Sequence, residues 1–334
     1  MIRNRQELRD EIFDVSASNF DALAIEIFHY QFLNNPLYQK YCQTLYHGKK
    51  LEPKSITEIP FLPVEFFKSN EIKTGDWNPD RTFMSSSTGG VPSAHKVRDI
   101  ALYHESFTKC FQLFYGNPAH YAILGLLPSY LEREGSSLIY MLSELMRDSQ
   151  NPDSGFYLYN YFELAQTLTH REQQNIPTIL FGVTFGLLDF ARNFTLNLPN
   201  TIIIETGGMK GRGKEPIREE VHQILKQNLG AKQVHSEYGM TELLSQAYML
   251  KGMSFNLPNW MKALVRDQHD PLSVNEQGKG LFNFIDLANL DSCCFLATKD
   301  MGEVFTNNTF SVLGRADYSE QRGCNLMVAE IFHT

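Results

Sequence analysis

The 334-residue chain has few cysteines, and their spacing is not that of a disulfide framework or a metal site. Their number is odd, they are scattered, and no C-x-x-C pair occurs, which excludes a disulfide framework and a cysteine-based zinc site. Each cysteine is therefore expected to be a small buried hydrophobe, as in a protein of the reducing cytoplasm. The five are Cys42, Cys110, Cys293, Cys294 and Cys324.

The chain also lacks basic runs and long apolar runs. Its formal net charge is −8 and no Lys/Arg run occurs, which argues against nonspecific binding to nucleic acid or anionic membrane. No apolar stretch approaches the roughly 18 residues that span a bilayer. The first five residues precede acidic residues rather than an apolar segment, so no secretion signal is expected. We therefore predict a cytoplasmic protein with no nucleic-acid partner and no membrane span.

What the chain does have is an ordinary globular balance, with 43% hydrophobic and 20% charged residues. Its length is enough for one large or two modest domains with a sizeable core. The patterns predict a helical segment over 1–80 that packs on the main domain, an α/β core over 81–270 and a β-rich subdomain over 271–334.

The middle of the chain alternates buried strands with helices, which is typical of an open α/β sheet. Such sheets bind ligands at the carboxyl ends of their strands. Gly207-Gly208-Met209 and Tyr238-Gly239-Met240-Thr241 both fall at strand ends, so they are predicted to flank one crevice. The alternative for 207–213 is a plain glycine-rich connection. The predicted strands are 121–127, 178–184, 201–206 and 231–234, and the predicted helices are 137–146, 185–194 and 214–229, the last ended by Gly230.

A turn at 239–242 is predicted to open a further helix over 242–250. Unpaired N–H groups at a helix start favour anions, phosphate in particular. Thr241 adds a hydroxyl donor, and Glu242 adds a carboxylate able to hold Mg²⁺ against a phosphate. The alternative is an ordinary capped turn, because Thr-Glu is common at helix starts.

A run of hydroxyls and glycines occupies 83–96. Such a run does not suit a core strand, and its N–H groups and hydroxyls fit a phosphate cradle. It is not a Walker loop, because the G-K-[ST] ending is absent. The alternative is a flexible linker.

Glu237–Glu242 resembles the Y-G-x-T-E motif of the adenylate-forming superfamily, which includes acyl-CoA synthetases, adenylation domains and firefly luciferase. Within it the chain most resembles the LuxE-like acyl-protein synthetases, and Ile59–Lys68 is similar to a stretch that precedes their first nucleotide motif. The hydroxyl run looks like the family's S-S-G-T-T-G-x-x-S phosphate loop, with Ser87 in place of glycine and Gly89 in place of the second threonine. Thr298-Lys299-Asp300 and Gly314-Arg315-Ala316-Asp317 match the family's T-x-D and G-R-x-D.

The resemblance implies the fold of the large domain of these enzymes, with a smaller β-rich part and no C-terminal lid. It implies ATP-dependent conversion of a carboxylic acid, a fatty acid in the LuxE-like relatives, to an acyl-adenylate. Thr241 and Glu242 are the implied catalytic residues, and Glu242 holds Mg²⁺. The resemblance also implies three groups of ATP- and AMP-binding residues. The phosphates are bound by Ser85, Ser86, Ser87, Thr88, Gly89, Gly90 and Ser93. The adenine is bound by Gly207, Gly208, Met209 and Tyr238, with Glu237 and Gly239 beside them, and the ribose is bound by Asp300 and Arg315.

LuxE-like proteins pass the acyl group to a cysteine near their C-terminus, and Cys324 is the matching candidate. Arg322 lies two residues before it, and a nearby cation favours the thiolate. The alternative is that Cys324 is a buried strand residue.

Two other interpretations remain open. One is a non-catalytic acyl or nucleotide binding module with an altered phosphate loop, and the other is a scaffold without a ligand. Taken singly, Asp300 and Arg315 are also typical of surface turns. On the catalytic interpretation, the partners are a small carboxylic acid and an acyl-acceptor protein or carrier.

Overall fold

Helices begin the chain, strands and helices alternate through its middle, and strands dominate its last quarter. The computed structural model describes residues 3–86, 90–128, 135–207 and 217–316. The α-helices are α1 (Arg5–Glu11), α2 (Phe20–Asn34), α3 (Pro36–Leu45), α4 (Ile100–Tyr115), α5 (Ser137–Ser149), α6 (Tyr161–Gln173), α7 (Thr184–Asn193) and α8 (Arg218–Leu229). The strands are β1 (Leu62–Pro63), β2 (Arg81–Met84), β3 (Ala94–Val97), β4 (Ala122–Leu126), β5 (Gly155–Tyr157), β6 (Thr178–Val183), β7 (Thr201–Thr206), β8 (Gln233–Tyr238), β9 (Ala247–Met249), β10 (Phe255–Asn256), β11 (Met261–Arg266), β12 (Val274–Asn275), β13 (Gly278–Asp286), β14 (Phe295–Val304) and β15 (Thr309–Arg315).

These elements form two compact units. The first unit contains the described residues up to Val64, Asn259–Leu287, and those from Cys293 onward. The second unit contains Glu65–Pro258 and the short segment Ala288–Ser292. No helix in the described ranges is long and apolar enough to cross a bilayer.

The first unit combines the N-terminal helices with an antiparallel sheet in the order β12-β11-β13-β14-β15. Strand β1 adds to this sheet parallel to β14. Helix α3 begins where the Asn35 side chain accepts a hydrogen bond from the Tyr38 amide, with Pro36 in the first turn. The Tyr38 ring stacks on Phe295 of β14 at 6.2 Å, so helix and sheet share an aromatic core.

The second unit contains a mostly parallel sheet in the order β10-β9-β8-β7-β6-β4-β5. Strands β4 to β8 pair in parallel, and β9 turns back antiparallel to β8. Parallel strands are covered on both faces, so their sequences read as continuous apolar runs. Helices α6, α7 and α8 pack on this sheet through buried Leu168, Leu187 and Leu225. The predicted fold class, an open α/β sheet flanked by helices with a β-rich part, is confirmed.

The predicted helix over 242–250 is wrong. A turn closes where the Leu243 amide donates to the Met240 carbonyl at 3.1 Å, and β9 then pairs with β8 through Tyr238 and Ala247. Residues 242–249 are all buried, without the exposed face that a surface helix would show. Pairing with β8 also satisfies backbone groups that would otherwise be left at the sheet edge.

Candidate functional site

Strands β7 and β8 end side by side in the second unit. Thr206 is the register partner of Glu237, so Gly207 follows the end of β7, while Tyr238 ends β8 and Gly239 follows it. The structure thus brings together the strand ends that the sequence predicts to flank one crevice. Gly208 and Met209 lie outside the described residues.

A side-chain bridge joins these two strand ends on one face of the sheet. The Thr206 hydroxyl donates to the Glu237 carboxyl, and both side chains are buried. Burial, and secondarily the nearby Glu205 charge, raise the pKa of Glu237 to about 7, although the Thr206 hydrogen bond opposes the shift. A Cβ at Gly239 would collide with Glu237 Oε1, so a larger residue there would displace this carboxyl.

On the opposite face, Glu205 collects three donors. Its carboxylate accepts from Thr184 Oγ1 at 2.7 Å, Ser236 Oγ at 2.7 Å and Arg218 Nε at 3.0 Å. Thr184 Oγ1 also lies 2.9 Å from the Gly207 carbonyl oxygen. A buried carboxylate is stable only when paired and hydrogen-bonded, and these contacts meet that need. They also fix the ends of β6, β7 and β8 to one another.

His222 extends this network, with its Nε2 3.0 Å from Ser236 Oγ. Burial, with Arg218 and Lys226 nearby, lowers the pKa of His222 to about 4, so the ring is neutral at pH 7. Because Ser236 gives its proton to Glu205, the ring nitrogen is the donor to Ser236. No motif in the sequence points to these residues. The available signal was a carboxylate, Glu205, that ends the apolar strand Thr201–Thr206.

The predicted catalytic pair lies on the turn after β8. Thr241 is half-buried and Glu242 is 6% exposed. The Asn289 side chain donates to the Glu242 carbonyl at 2.8 Å, which fixes the backbone there. Because no helix begins at this turn, a phosphate would meet turn amides and the Thr241 hydroxyl rather than a helix dipole.

The described residues contain no cluster of three or more metal-ligating side chains. Mg²⁺ in nucleotide sites commonly takes one or two carboxylates together with substrate phosphates. Glu242, a buried carboxylate beside the strand ends, fits that smaller ligand set.

The hydroxyl-and-glycine run includes the loop from Ser85 to Ser93, which connects β2 to β3, and these two strands pair as an antiparallel ribbon. Two hydrogen bonds close the base of this loop: the Ser85 amide donates to the Ser93 carbonyl at 2.9 Å, and the Ser93 amide donates to Ser85 Oγ at 2.8 Å. Ser86 and Gly90 are exposed beyond this base. Ser87, Thr88 and Gly89 lie outside the described residues.

In the first unit, Asp300 and Arg315 are register partners on β14 and β15. Arg315 Nε lies 3.7 Å from Asp300 Oδ1, and the Asp300 amide donates to Thr298 Oγ1 at 3.1 Å. Asp300 does not lie on a surface turn, because β14 continues to Val304 through a register shift at Met301 and Gly302. The small glycine allows this shift, since a Cβ at Gly302 would collide with the Ser311 carbonyl.

Cys42, Cys110, Cys293 and Cys294 are buried thiols outside any disulfide, which confirms the packing role expected of them. Cys324 lies outside the described residues.

Comparison with known proteins places this geometry in a recognised fold. No family model matches the chain. A long-chain-fatty-acid–luciferin-component ligase of Vibrio harveyi is 22% identical over 328 residues, which cover 91% of this chain and 86% of that protein.

Among solved structures, 2-hydroxyisobutyryl-CoA ligase in complex with 2-HIB-AMP and CoA matches with a TM-score of 0.63 at 14% identity, over 95% of this chain and 73% of that one. ATP-bound MatB from Rhodopseudomonas palustris matches with a TM-score of 0.50 at 14% identity, over 70% of this chain. The match covers only 47% of the MatB chain, about half its length. The predicted resemblance is confirmed: the chain is similar in sequence to a LuxE-type ligase and has the fold of the adenylate-forming ligases.

Proposed function

We propose that the chain is an adenylate-forming ligase that activates a carboxylic acid, a fatty acid in particular, with ATP. The carboxylate oxygen attacks the α-phosphorus and forms a new O–P bond. The bond from the α-phosphorus to the oxygen that bridges the α- and β-phosphates breaks, and pyrophosphate leaves with that oxygen and the electron pair. The observation that carries the proposal is the meeting of the β7 and β8 ends in this fold, where Gly207 and the Tyr-Gly-Met-Thr-Glu turn emerge beside the Thr206–Glu237 bridge. The fatty acid is suggested by the substrate in the name of the Vibrio ligase.

The phosphate side of the site is assigned to Thr241 and the Ser85–Ser93 loop. Hydroxyls and backbone amides stabilise charge that develops on the α-phosphate during in-line attack. Glu242 would hold Mg²⁺, which when bound neutralises the leaving pyrophosphate. Gly207 to Met209 and Tyr238 are assigned to the adenine, and Asp300 and Arg315 to the ribose, where a carboxylate accepts from both hydroxyls.

The acyl group is then passed to a protein thiol, with Cys324 as the candidate. Its thiolate attacks the acyl carbon, a thioester forms, and AMP leaves with the bridging oxygen. Incubation with ATP, Mg²⁺ and a radiolabelled fatty acid, followed by a denaturing gel, should show label on the wild type and none on Cys324→Ser. Neutral hydroxylamine should release the wild-type label, because it cleaves thioesters. Label that survives in the variant would remove Cys324 from the reaction.

Exchange of ³²P between pyrophosphate and ATP, measured against a panel of carboxylic acids, tests the first step. Exchange that depends on one class of acid is the expected result, with long-chain fatty acids most active. A chain that binds ATP but exchanges with no acid would instead be the non-catalytic binding module, which the altered positions Ser87 and Gly89 would then explain.

A further inference from the structure

A buried histidine that the proposed function does not use contacts the turn that carries Thr241. His95 lies on β3, two residues after Ser93, and is 1% exposed. Its Nδ1 lies 2.7 Å from the Thr241 carbonyl oxygen, and its Nε2 lies 3.0 Å from Ser292 Oγ. The Phe67 ring packs edge-on against the imidazole at 5.3 Å. The ring is therefore held from three sides.

These partners determine where the ring carries its proton. A carbonyl oxygen can only accept, so Nδ1 bears the hydrogen and donates to Thr241. Burial lowers the pKa of His95 to about 4, although the Thr241 hydrogen bond opposes that shift, so the ring is neutral at pH 7. Nε2 is then left with its lone pair, which accepts the Ser292 hydroxyl proton. This single tautomer satisfies every partner of the ring.

Ser292 is itself held in place. Thr74 Oγ1 donates to the Ser292 carbonyl at 2.7 Å, and the Thr74 amide donates to the Asp291 carbonyl at 2.8 Å. The same short segment supplies Asn289, whose amide holds the Glu242 carbonyl. Two consecutive carbonyls of the turn, those of Thr241 and Glu242, thus each accept from a fully buried side chain.

We propose that His95 is a positioning residue for the adenylation site, where it fixes the Thr241 carbonyl and so aims the Thr241 hydroxyl and the Glu242 carboxylate at the nucleotide phosphates. This inference rests on the proposed function of those two residues. With both carbonyls fixed, the turn cannot rotate its peptide planes without breaking a buried hydrogen bond, which is costly. Groups held in place before the substrate binds need no reorganisation in the transition state.

Two amide variants separate the two nitrogens of the ring. In His95→Asn the side-chain amide can take the place of Nδ1 and still donate to Thr241, while the Ser292 contact is lost. In His95→Gln the longer side chain reaches the place of Nε2 and leaves the Thr241 carbonyl without its donor. Both variants replace a buried ring by a smaller amide, so both lose packing contacts. A difference between them therefore reports the hydrogen bonds rather than the packing.

We expect kcat for ATP–pyrophosphate exchange to stay within about threefold of wild type in His95→Asn and to fall about tenfold or more in His95→Gln. KM for ATP should change less than kcat in both, at temperatures well below the melting temperature of each. If kcat falls equally in the two variants, in proportion to their loss of stability, His95 is only a packing residue.

A second measurement keeps this inference separate from the proposed function. In ¹⁵N NMR of the wild type, His95 should show the Nδ1–H tautomer and no titration between about pH 5 and 8. If the wild type fails to catalyse exchange, the proposed function is wrong. The tautomer measured by NMR then still tests whether His95 donates to the Thr241 carbonyl. An Nε2–H tautomer, or titration near the ordinary pKa of 6.5, would overturn the inference.

Discussion

At the scale of single residues, the proposed chemistry depends on side chains at the ends of β7 and β8 and on the turn after β8. Thr241 is half-buried on that turn, and a phosphate at its hydroxyl would receive a charge-assisted hydrogen bond. Thr241→Ala should weaken ATP binding by roughly 1–3 kcal/mol. Isothermal titration calorimetry measures this, with Thr44→Ala on α3 as a control expected to bind as wild type. Unchanged affinity in Thr241→Ala would remove it from the phosphates.

Glu242 is expected to affect turnover more than nucleotide binding, because its proposed partner is the metal. Glu242→Gln should lower Mg²⁺-dependent exchange by roughly a hundredfold and raise the Mg²⁺ concentration needed for half the maximal rate. The exposed Glu220→Gln on α8 is the matched control. A Glu242→Gln enzyme that exchanges at the wild-type rate would leave Glu242 a structural residue of the turn.

The buried Glu237 predicts a pH-dependent stability. Its pKa is raised from 4.5 to about 7, so between these values the folded protein keeps a proton that the unfolded chain has lost. The free energy of unfolding therefore falls as pH rises through this window, by about 3 kcal/mol if the full shift applies. Neutral buried histidines make the free energy of unfolding rise with pH. The contribution of Glu237 is therefore measured as the difference in stability between wild type and a variant.

Glu237→Gln removes this proton linkage and retains a polar partner for Thr206. The stability of wild type relative to the variant, from urea denaturation, should decline between about pH 4 and 8. The same comparison with Thr44→Ala, which changes no ionisable group, should be flat. A difference that stays constant across the range for Glu237→Gln would mean that its carboxyl is not shifted in the folded protein.

At the scale of elements, sequence patterns predicted what local physics determines. Three consecutive isoleucines predicted β7 with its observed bounds, and Gly230 ends α8 in the left-handed conformation, as predicted. The helix after Glu242 was mistaken because pairing with β8 is a long-range contact that residues 242–250 do not encode locally. The Glu205 network and the His95 contact join residues far apart in sequence, and no spacing rule would have connected them.

Gly230 offers a test of helix termination. Its φ of +63° disfavours any side chain, and a Cβ there would lie 2.8 Å from the Asn197 Cα. Left-handed backbone strain alone costs about 1–2 kcal/mol for a residue with a side chain. Gly230→Ala should therefore lower the free energy of unfolding by more than this amount. Gly252→Ala is the control, since Gly252 has a φ of +68° and open space around it. Equal losses in the two variants, from urea denaturation, would show that the contact with Asn197 relaxes at no cost.

At the scale of the whole molecule, the motifs occur in the order of the adenylate-forming family, and the fold agrees with that order. The sequence predicted the fold class and the strand ends that meet. It did not predict which buried side chains hold those ends, because burial and pairing are properties of the folded chain. The residues assigned to ATP and Mg²⁺ remain predictions, as do the fatty acid and the acyl acceptor.

The central claim is that a carboxylate oxygen attacks the α-phosphorus of ATP. The most direct measurement supplies an ¹⁸O-labelled fatty acid, ATP, Mg²⁺ and hydroxylamine as acyl acceptor, and then analyses AMP by mass spectrometry. The account predicts AMP that carries one ¹⁸O, because the bridging oxygen of the acyl-adenylate leaves with it. Unlabelled AMP, or ¹⁸O found in inorganic phosphate instead, would contradict it.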